Sequence, residues 1–396
     1  MGLIDTLEIG HQESRASALR LTSVISSLGA GGAERVMSAL TNAWRRAGHE
    51  VCLITLAGKE CDDFYPLLPG IVRERLGVQR ESASLASAIV NNVARWWKIR
   101  AAFRERSPDV VVAFMTTTNV LALAAAFGLG IPVIVAERVS PEDEVLSPLW
   151  RSARQLAYKR AAAVVMLTER SARWLRTNIP AAKAVVIGNP VLVHRGQRPD
   201  DVAKAVLASC AESEVLLAAG RLDRQKGFDL LLKAFASVGP IGRNWRLVII
   251  GEGPERRSLE SLVAELRLSN RVLLPGVTTT PYALMERAGL FVLSSRYEGL
   301  PNALMEAMAC GLACISFDCR TGPSEIITTG VDGILVRAED VPALSRAMEM
   351  VMSDGDLRAR LGRDAQIIES RHSVAAVLKQ WDELFRNVIL GRTRDH

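Results

Sequence analysis

Residues 290–311 read LFVLSSRYEGLPNALMEAMACG, and this stretch decides the fold class. The apolar run at 290–293 predicts a buried strand, and the polar and glycine residues after it predict a loop. Pro301 lies near the first helical turn, where its missing N–H costs nothing, so a helix is predicted over 302–309. A short apolar strand that leads through a loop into a helix is typical of a parallel sheet covered on both faces.

The same strand, loop and helix unit recurs along the whole chain. Strands alternating with helices imply right-handed crossovers and open parallel sheets. We therefore predict an α/β protein with two doubly wound, Rossmann-like domains that face each other across a cleft. The predicted strands are 21–25, 51–56, 110–114, 132–136, 164–167, 184–187, 215–219, 246–250, 272–274, 290–293 and 313–317, and the predicted helices include 229–238, 254–266, 302–309 and 342–352.

The boundary between the domains is predicted within 194–201, where the sequence RGQRPD interrupts the periodic pattern. The first domain is then 1–194, with 1–18 expected to be disordered, and the second is 195–372. Residues 373–396 are predicted to form a C-terminal helix that is free to pack back on the first domain. Ligands of open α/β sheets bind beyond the carboxyl ends of the strands, so the site is expected in the cleft.

Composition narrows the class of protein and its compartment. The chain has 396 residues, of which 49% are hydrophobic and 23% charged, so it has material for two globular cores. Its six cysteines form no C-x-x-C pattern, which favours buried thiols in a reducing cytosol over a metal site. Residues 1–20 lack the apolar core of a signal peptide, and glycines and a proline interrupt the apolar region 110–136. A cytoplasmic protein without a membrane-spanning helix is expected.

Two strand-to-helix turns have the composition of phosphate sites. The first contains Gly31 and Gly32, whose backbone N–H groups precede a predicted helix. The second places Arg221 and Lys226 on either side of a turn, where two cations can hold a diphosphate. The glycines of the first turn do not match G-x-G-x-x-G, and no G-x-x-x-x-G-K-[ST] follows them. A tight turn without a ligand, and a solvated surface turn, are the respective alternatives.

Two carboxylates in the opening stretch provide a more specific signal. Glu298 lies in the loop after the strand, and Glu306 lies about two helical turns beyond Pro301. Both can accept hydrogen bonds from the hydroxyl groups of a sugar or a ribose. Glu306 is followed by Ala307, Met308 and Ala309, and a carboxylate in an apolar helix is costly unless it is paired or ligated. The alternative is a carboxylate bonded to neighbouring backbone.

Together, four motifs resemble the retaining glycosyltransferases of family 4. They are Gly-Arg-x4-Lys-Gly at 220–227, Gly-Glu-Gly-Pro at 251–254, the pair Glu298 and Glu306, and Gly-Gly-Ala-Glu-Arg at 31–35. The resemblance covers about residues 20–385, is most specific in the second half, and implies the two-domain GT-B architecture.

The resemblance also implies roles for individual residues. Arg221 and Lys226 would bind the donor diphosphate and stabilise the charge on the leaving nucleoside diphosphate. Glu306 would accept from the ribose hydroxyls. Glu298 would be a catalytic residue that contacts the donor sugar, or the face on which the oxocarbenium-like charge develops. No cofactor or divalent metal is expected, and no Asp-x-Asp follows a predicted strand. Further donor-binding positions are Gly31, Gly32, Gly276, Val277, Asn302 and Ala303, with Gly276 and Val277 placed at the base.

Two other segments resemble enzymes that build capsule, exopolysaccharide or lipid-linked oligosaccharide, including the amylovoran-type galactosyltransferases. They are CRTGPSEI at 319–326 and AERVSP at 136–141. Glu137 and Arg138 end a predicted strand, so both are expected to point into the cleft. Family members often have a histidine in this region and this chain has none there, which makes Glu137 the candidate for an acceptor-side base.

The positive charge is concentrated in the first half of the chain. Residues 1–200 contain 25 Lys and Arg against 18 Asp and Glu, whereas residues 201–396 contain 24 against 25. Cations that alternate with indoles suit the headgroup region of an anionic membrane. A solvated helix face is the alternative, and nucleic acid is not expected because no nucleic-acid-binding module accompanies the charge. The residues proposed to contact the membrane are Arg95, Trp96, Trp97, Lys98, Arg100 and Arg104.

Three functions are compatible with these observations. The first is retaining transfer of a hexose or N-acetylhexosamine from a nucleotide sugar, with uridine as the expected base, to a lipid-linked glycan on the cytoplasmic membrane face. The second keeps the fold but uses a soluble acceptor. The third is a non-catalytic protein that binds nucleotide sugars or nucleic acid. The intact set of Arg221, Lys226, Glu298 and Glu306 favours an enzyme.

Overall fold

The computed structural model describes residues 18–58, 60–79 and 85–394. The disorder expected for 1–18 therefore concerns, apart from Ala18, residues outside those described. In the described ranges, thirteen strands form two separate sheets, and all strand pairs within them are parallel.

The first sheet belongs to the first half of the chain. Its order is β3-β2-β1-β4-β5-β6-β7, so the chain runs outward from β1 in both directions. In register, Leu21 of β1 lies opposite Val51 on one side and Val110 on the other. The strands are β1 (Arg20–Ile25), β2 (Glu50–Thr55), β3 (Val72–Arg75), β4 (Val110–Phe114), β5 (Val133–Ala136), β6 (Ala163–Met166) and β7 (Ala184–Val186).

The second sheet repeats this arrangement with six strands in the described residues. Its order is β10-β9-β8-β11-β12-β13, with the first strand of the half again in the interior. The strands are β8 (Glu214–Ala219), β9 (Trp245–Ile250), β10 (Val272–Gly276), β11 (Leu290–Leu293), β12 (Ala313–Asp318) and β13 (Ile334–Arg337), where β8 is the interior first strand.

Helices cover both faces of each sheet, as continuous apolar strands require. In the first domain they are α1 (Gly32–Arg46), α2 (Leu85–Arg106), α3 (Thr116–Ala126), α4 (Pro148–Ala157) and α5 (Glu169–Asn178). In the second they are α6 (Asp201–Ser209), α7 (Phe228–Ala236), α8 (Arg256–Glu265), α9 (Pro281–Met285), α10 (Asn302–Ala309), α11 (Pro323–Ile326), α12 (Val341–Ser353), α13 (Gly355–Ala365) and α14 (Ile367–Arg371), followed by α15 (Val374–Arg394). Short 3-10 helices lie at Tyr158–Arg160, Arg224–Lys226 and Pro240–Asn244.

Each predicted strand is present, with ends that differ by at most two residues. The structure adds β3 and β13, which the sequence pattern did not predict. Both are edge strands, and their partly exposed residues need no continuous apolar run. β3 reads Val-Arg-Glu-Arg, a pattern that a loop would share.

The last helix, α15, packs on the first domain after the chain has passed through the second. The fully buried Trp381 meets Trp44 of α1 edge-on, with ring centroids 5.5 Å apart. The ring of Phe385 packs on the same indole, with ring centroids 5.5 Å apart. The chain thus passes between the domains twice, and the two crossings are joined where the Val191 N–H donates to the carbonyl of His372 at 2.8 Å.

Candidate active site

The loops at the carboxyl ends of β1 and β11 meet across the cleft between the domains. Each loop leads from a strand into a helix, which is where ligands of parallel sheets bind. The Asn302 side-chain amide, at the start of α10, lies 3.5 Å from the carbonyl of Gly32, at the start of α1. The predicted glycine-rich turn and the segment that contains both carboxylates are therefore brought together.

Glu306 is held by an ion pair that joins the two domains. Nη1 of Arg35, on α1, lies 2.8 Å from one Glu306 carboxylate oxygen and 2.9 Å from the other. Arg35 also donates to the hydroxyl of Tyr282, which in turn donates to the carbonyl of Leu192 between the domains. Glu306 is buried, and burial raises the pKa of its carboxyl group although the Arg35 guanidinium opposes the shift.

Glu298 is paired with Lys226 at the second predicted phosphate turn. The ammonium of Lys226 lies 2.6 Å from Glu298 Oε1, which also accepts from Ser295 Oγ at 2.6 Å. Gly227 makes this contact possible, because its φ is +62° and a Cβ there would lie 2.1 Å from the carbonyl oxygen of Ser294. Only glycine lets the Lys226 turn approach the end of β11 this closely.

Arg221 stands outside this pair. Its side chain is 71% exposed, and Nε lies 2.5 Å from Asp223 Oδ2. Asp223 also accepts from the Lys226 backbone N–H at 3.2 Å, so one carboxylate orders the whole turn. The positive charge of Arg221 acts on Glu34 at the start of α1 in the first domain. One cation of the predicted clamp is therefore half-buried against Glu298, and the other is largely exposed.

The backbone positions predicted at the base follow β10. Gly276 has a φ of +92°, and its carbonyl accepts from the Gly251 N–H at 2.9 Å. Val277 is 43% exposed, so its backbone is within reach of a ligand. Arg256 holds this corner of the domain, because it donates to the carbonyls of Leu274 and Gly251.

A chain of hydrogen bonds also joins the domains through Asn189, which was not singled out from the sequence. Arg138 Nη1 donates to Asn189 Oδ1 at 2.8 Å, and Asn189 Nδ2 donates to Asn302 Oδ1 at 2.8 Å. The Arg138 guanidinium lies 3.6 Å from the centre of the Phe114 ring, and burial lowers its pKa to about 9. The turn sequence Gly-Asn-Pro at 188–190 was the available signal, but its partner is more than a hundred positions away.

Glu137 does not face the cleft, contrary to the prediction. Its carboxylate is buried inside the first domain, where Oε1 accepts from the Tyr158 hydroxyl at 2.5 Å and Oε2 from Thr116 Oγ1 at 2.8 Å. The same Thr116 hydroxyl lies 2.7 Å from Glu144 Oε2. Because one hydroxyl has one proton for two carboxylates, one carboxyl group must be protonated for every contact to be a hydrogen bond. Burial and the charge of Glu144 raise the pKa of Glu137 to about 7.

The predicted membrane-contacting residues divide between two sides of α2. Trp97 is 65% exposed and Arg104 also points outward, in line with the exposed Ile89, Val90 and Val93. The other four residues contact the protein. Arg95 donates to the carbonyl of Val78, Trp96 to that of Ala124, Lys98 to that of Leu76, and Arg100 to those of Ala125 and Phe127. Much of the basic charge of α2 thus satisfies backbone carbonyls, including those at the end of α3.

The part of the chain that the structure describes contains neither a candidate metal-ligand cluster nor a candidate membrane-spanning helix. There, no three His, Cys, Asp or Glu side chains are grouped so that they could bind a metal ion. No helix in the same ranges combines the length and apolar character needed to cross a bilayer.

Two protein-family models match consecutive parts of the chain. Residues 31–190 match the model described as glycosyl transferase 4-like domain, and residues 200–367 match glycosyl transferases group 1. The second match contains the whole second sheet, and the first contains every strand of the first sheet except β1. The chain therefore belongs to the glycosyltransferases with these two domains, and it is a glycosyltransferase of GT-B architecture. The family resemblance and the predicted fold class are confirmed.

Curated relatives match over nearly the whole chain. One is the GalNAc-alpha-(1->4)-GalNAc-alpha-(1->3)-diNAcBac-PP-undecaprenol alpha-1,4-N-acetyl-D-galactosaminyltransferase of Campylobacter jejuni, 28% identical over 93% of this chain and 99% of the relative. Another is the amylovoran biosynthesis glycosyltransferase AmsD of Erwinia amylovora, 28% identical over 89% of this chain and 95% of the relative.

Solved structures show the same two-domain fold. Sucrose-phosphate synthase from Thermosynechococcus elongatus superposes with a TM-score of 0.81 at 20% identity, covering 94% of this chain and 100% of the other. Anabaena HepE in complex with UDP superposes with a TM-score of 0.76 at 21% identity, covering 93% and 100%. At this level of identity the likeness is evidence for the fold.

The Arg35–Glu306 pair is expected to be a strong interdomain contact. Glu306→Ala should lower the free energy of unfolding by about 3 kcal/mol, because it leaves the largely buried Arg35 charge without its carboxylate partner. The double variant, Arg35→Ala with Glu306→Ala, should lose less free energy of unfolding than the sum of the losses in the two single variants. Denaturant unfolding of the four proteins measures the coupling. The exposed pair Arg195 and Glu369 is the control, for which at most about 1 kcal/mol is expected. Strict additivity at Arg35 and Glu306 would contradict this prediction.

The Glu137 carboxyl group is expected to make stability depend on pH. Its pKa in the folded protein is about 7 against an ordinary value of 4.5, so the folded state binds the proton more tightly. Its contribution to stability is therefore greatest below about pH 4.5 and is lost as the pH rises towards 7, by at most about 1.4 kcal/mol per pH unit. Glu137→Gln should remove this slope in unfolding experiments between pH 5 and 8, whereas Glu105→Gln, at an exposed position, should retain it. The same slope in wild type and Glu137→Gln would refute the assignment.

Proposed function

We propose that this glycosyltransferase transfers a hexose or N-acetylhexosamine from a UDP-sugar to a lipid-linked glycan, with retention of configuration at the transferred carbon. The observation that supports it best is the pair of carboxylates at the cleft, Glu298 and Glu306, each held by a cation. The names of the Campylobacter and Erwinia relatives support a glycan acceptor, and the first of these names specifies an undecaprenol-diphosphate carrier. HepE, which has the same fold, was solved with UDP.

The donor is proposed to bind mainly to the second domain. Glu306 accepts from the ribose hydroxyls, and the backbone of Gly276 and Val277 meets the base. The diphosphate lies against the start of α10, where the N–H groups of Asn302 and Ala303 have no backbone acceptor among the described residues. Such N–H groups at a helix N-terminus favour phosphate.

The chemistry is proposed to use charge stabilisation by side chains. An acceptor hydroxyl oxygen forms the bond to the sugar's anomeric carbon as the bond from that carbon to the β-phosphate oxygen breaks. The electron pair of the broken bond stays on the diphosphate, where Lys226 and Arg221 stabilise it, and the departing phosphate takes the acceptor proton. Glu298 lies beside Lys226, and we assign its carboxylate to the donor sugar because the sugar is bonded to the diphosphate that Lys226 is proposed to bind. Because two cations serve the leaving group, we propose that the reaction needs no divalent metal.

The acceptor is proposed to reach the first domain from the cytoplasmic face of a membrane. The outer surface of α2, defined as Ile89, Val90, Val93, Trp97 and Arg104, combines apolar side chains with a cation. This composition suits the boundary of an anionic bilayer. The enzyme would then be a peripheral protein that collects its acceptor from the bilayer.

The donor assignment is tested with a panel of nucleotide sugars. A UDP-sugar present at about 100 times its dissociation constant should raise the unfolding free energy by roughly 2.7 kcal/mol, and it should be consumed when a polyprenyl-diphosphate-linked glycan is supplied. Lys226→Ala should lower kcat about 100-fold or more, because the leaving diphosphate loses a cation. Lys233→Ala, an exposed lysine on α7, is the matched control. Full activity in Lys226→Ala would contradict the proposed role.

The membrane assignment is tested by flotation with vesicles that contain anionic or only neutral lipid. The wild type should float with anionic vesicles, and Trp97→Ala combined with Arg104→Glu should reduce the floating fraction. Arg243→Glu, an exposed arginine in the second domain, should leave it unchanged. Wild-type protein that stays at the bottom of both gradients would instead favour an enzyme with a soluble acceptor.

A further inference from the structure

An exposed aromatic pair lies in the connection between β2 and β3. The rings of Phe64 and Tyr65 meet edge-on with centroids 5.0 Å apart, and Phe64 is 42% exposed. The Phe64 N–H donates to the carbonyl of Leu28 at 2.9 Å, and Leu28 belongs to the loop that contains Gly31. The pair is thus attached to the glycine-rich side of the cleft, in the first domain.

The segment that presents the rings is held from two sides. Towards α1, Ser38 and Asn42 donate to the carbonyl of Pro66 at 3.2 and 3.0 Å, and the Leu68 N–H donates to Asn42 Oδ1 at 2.8 Å. On the other side, just before Phe64, Asp63 forms ion pairs with two arginines of β3. Their shortest distances are 2.9 Å for Arg73 and 2.6 Å for Arg75. A ring that is both exposed and rigidly held loses little conformational entropy when it binds a ligand.

Tyr65 adds a polar group close to charged residues of the cleft. Its ring is partly buried, and burial raises the pKa of its hydroxyl, on which the charges of Arg35, Glu306 and Glu34 also act. Among the described residues its hydroxyl has no hydrogen-bond partner. An apolar ring beside a free hydroxyl, with charged groups close by, suits a ligand that is apolar on one face and hydroxylated at its edge.

We propose that Phe64 and Tyr65 form a subsite for a pyranose ring of the acceptor. The C–H face of the sugar stacks on Phe64, and a sugar hydroxyl bonds to the Tyr65 hydroxyl. This inference rests on the proposed function, because it takes the acceptor to be a glycan. The residues proposed to bind most of the donor, Glu306, Glu298 and Lys226, lie in the second domain, which leaves the part of the first domain beyond the Gly31 and Gly32 turn for the acceptor. A lipid chain is a poorer fit, because the charges near Tyr65 would have to lose water against hydrocarbon.

The experiment uses the full-length protein and a sugar without lipid. Saturation-transfer NMR is recorded with the methyl α-glycosides of N-acetylgalactosamine, galactose and glucose, each with and without saturating UDP. At least one glycoside should show transfer to its ring C–H protons with the wild type and with Phe64→Trp. Phe64→Ala should lose this transfer and raise the acceptor KM about 10-fold or more, as loss of a central aromatic contact does. Tyr65→Phe should raise the acceptor KM less than Phe64→Ala does, because only one hydrogen bond is removed.

Two measurements separate this inference from the proposed function. UDP affinity, measured by calorimetry, should be the same in wild type and Phe64→Ala, which also shows that the variant is folded. Phe127→Ala removes another exposed aromatic residue of the first domain, at 67% exposure, and should leave glycoside binding unchanged. A wild type that binds no UDP would refute the proposed donor, whatever the glycosides do.

Three outcomes would overturn the subsite itself. The first is glycoside binding that is equal in wild type and Phe64→Ala. The second is a loss of UDP affinity in Phe64→Ala, which would place the ring in the donor site. The third is reduced vesicle flotation of Phe64→Ala with unchanged glycoside binding, which would make the pair a lipid contact.

Discussion

The buried ion pair between Arg35 and Glu306 is the contact on which the geometry of the cleft depends. A buried carboxylate without a partner is costly, and the cation that neutralises Glu306 comes from the opposite domain. The first domain therefore helps to determine the charge of the residue proposed to bind the ribose. Arg35 is anchored in turn through Tyr282 to the segment that joins the domains, so the position of one domain relative to the other is linked to the state of the donor site.

Lys226 and Glu298 form a second pair of a cation and a carboxylate at the site. Each proposed donor-binding carboxylate is paired with a cation of the protein, Glu306 with Arg35 and Glu298 with Lys226. The third cation of the site, Arg221, is largely exposed. In the proposed donor complex, the diphosphate attracts Lys226 and so releases Glu298 for hydroxyl groups. Each carboxylate is thus paired with one cation within the protein, and hydroxyl groups of the ligand would have to solvate Glu298 once Lys226 had moved to the diphosphate.

Sequence reasoning was reliable where information is local, and it failed where partners are distant. The strand, loop and helix unit at 290–311 and its repeats were sufficient to predict both sheets, and the two carboxylates were found from their spacing. Edge strand β3 was missed because its sequence, Val-Arg-Glu-Arg, is not apolar. A strand that pairs on one side only and is partly exposed does not need apolar residues. Arg35 and Asn189 were missed as partners of Glu306 and Asn302 because no local pattern links positions so far apart. The predicted direction of the Glu137 side chain was wrong. Its carboxylate accepts hydrogen bonds inside the domain from Thr116 and Tyr158, which belong to other elements and could not be identified from the local sequence.

The packing of α15 on α1 has a consequence for how the protein is made. Trp381, which covers Trp44, follows it in the chain by more than three hundred residues and is therefore synthesised after both sheets. During translation the second domain has its whole sequence available before the first domain can bury that indole. The first domain, although synthesised first, is then the last to complete its core. A nascent chain that stalls before α15 would expose the uncovered face of α1 to chaperones and proteases.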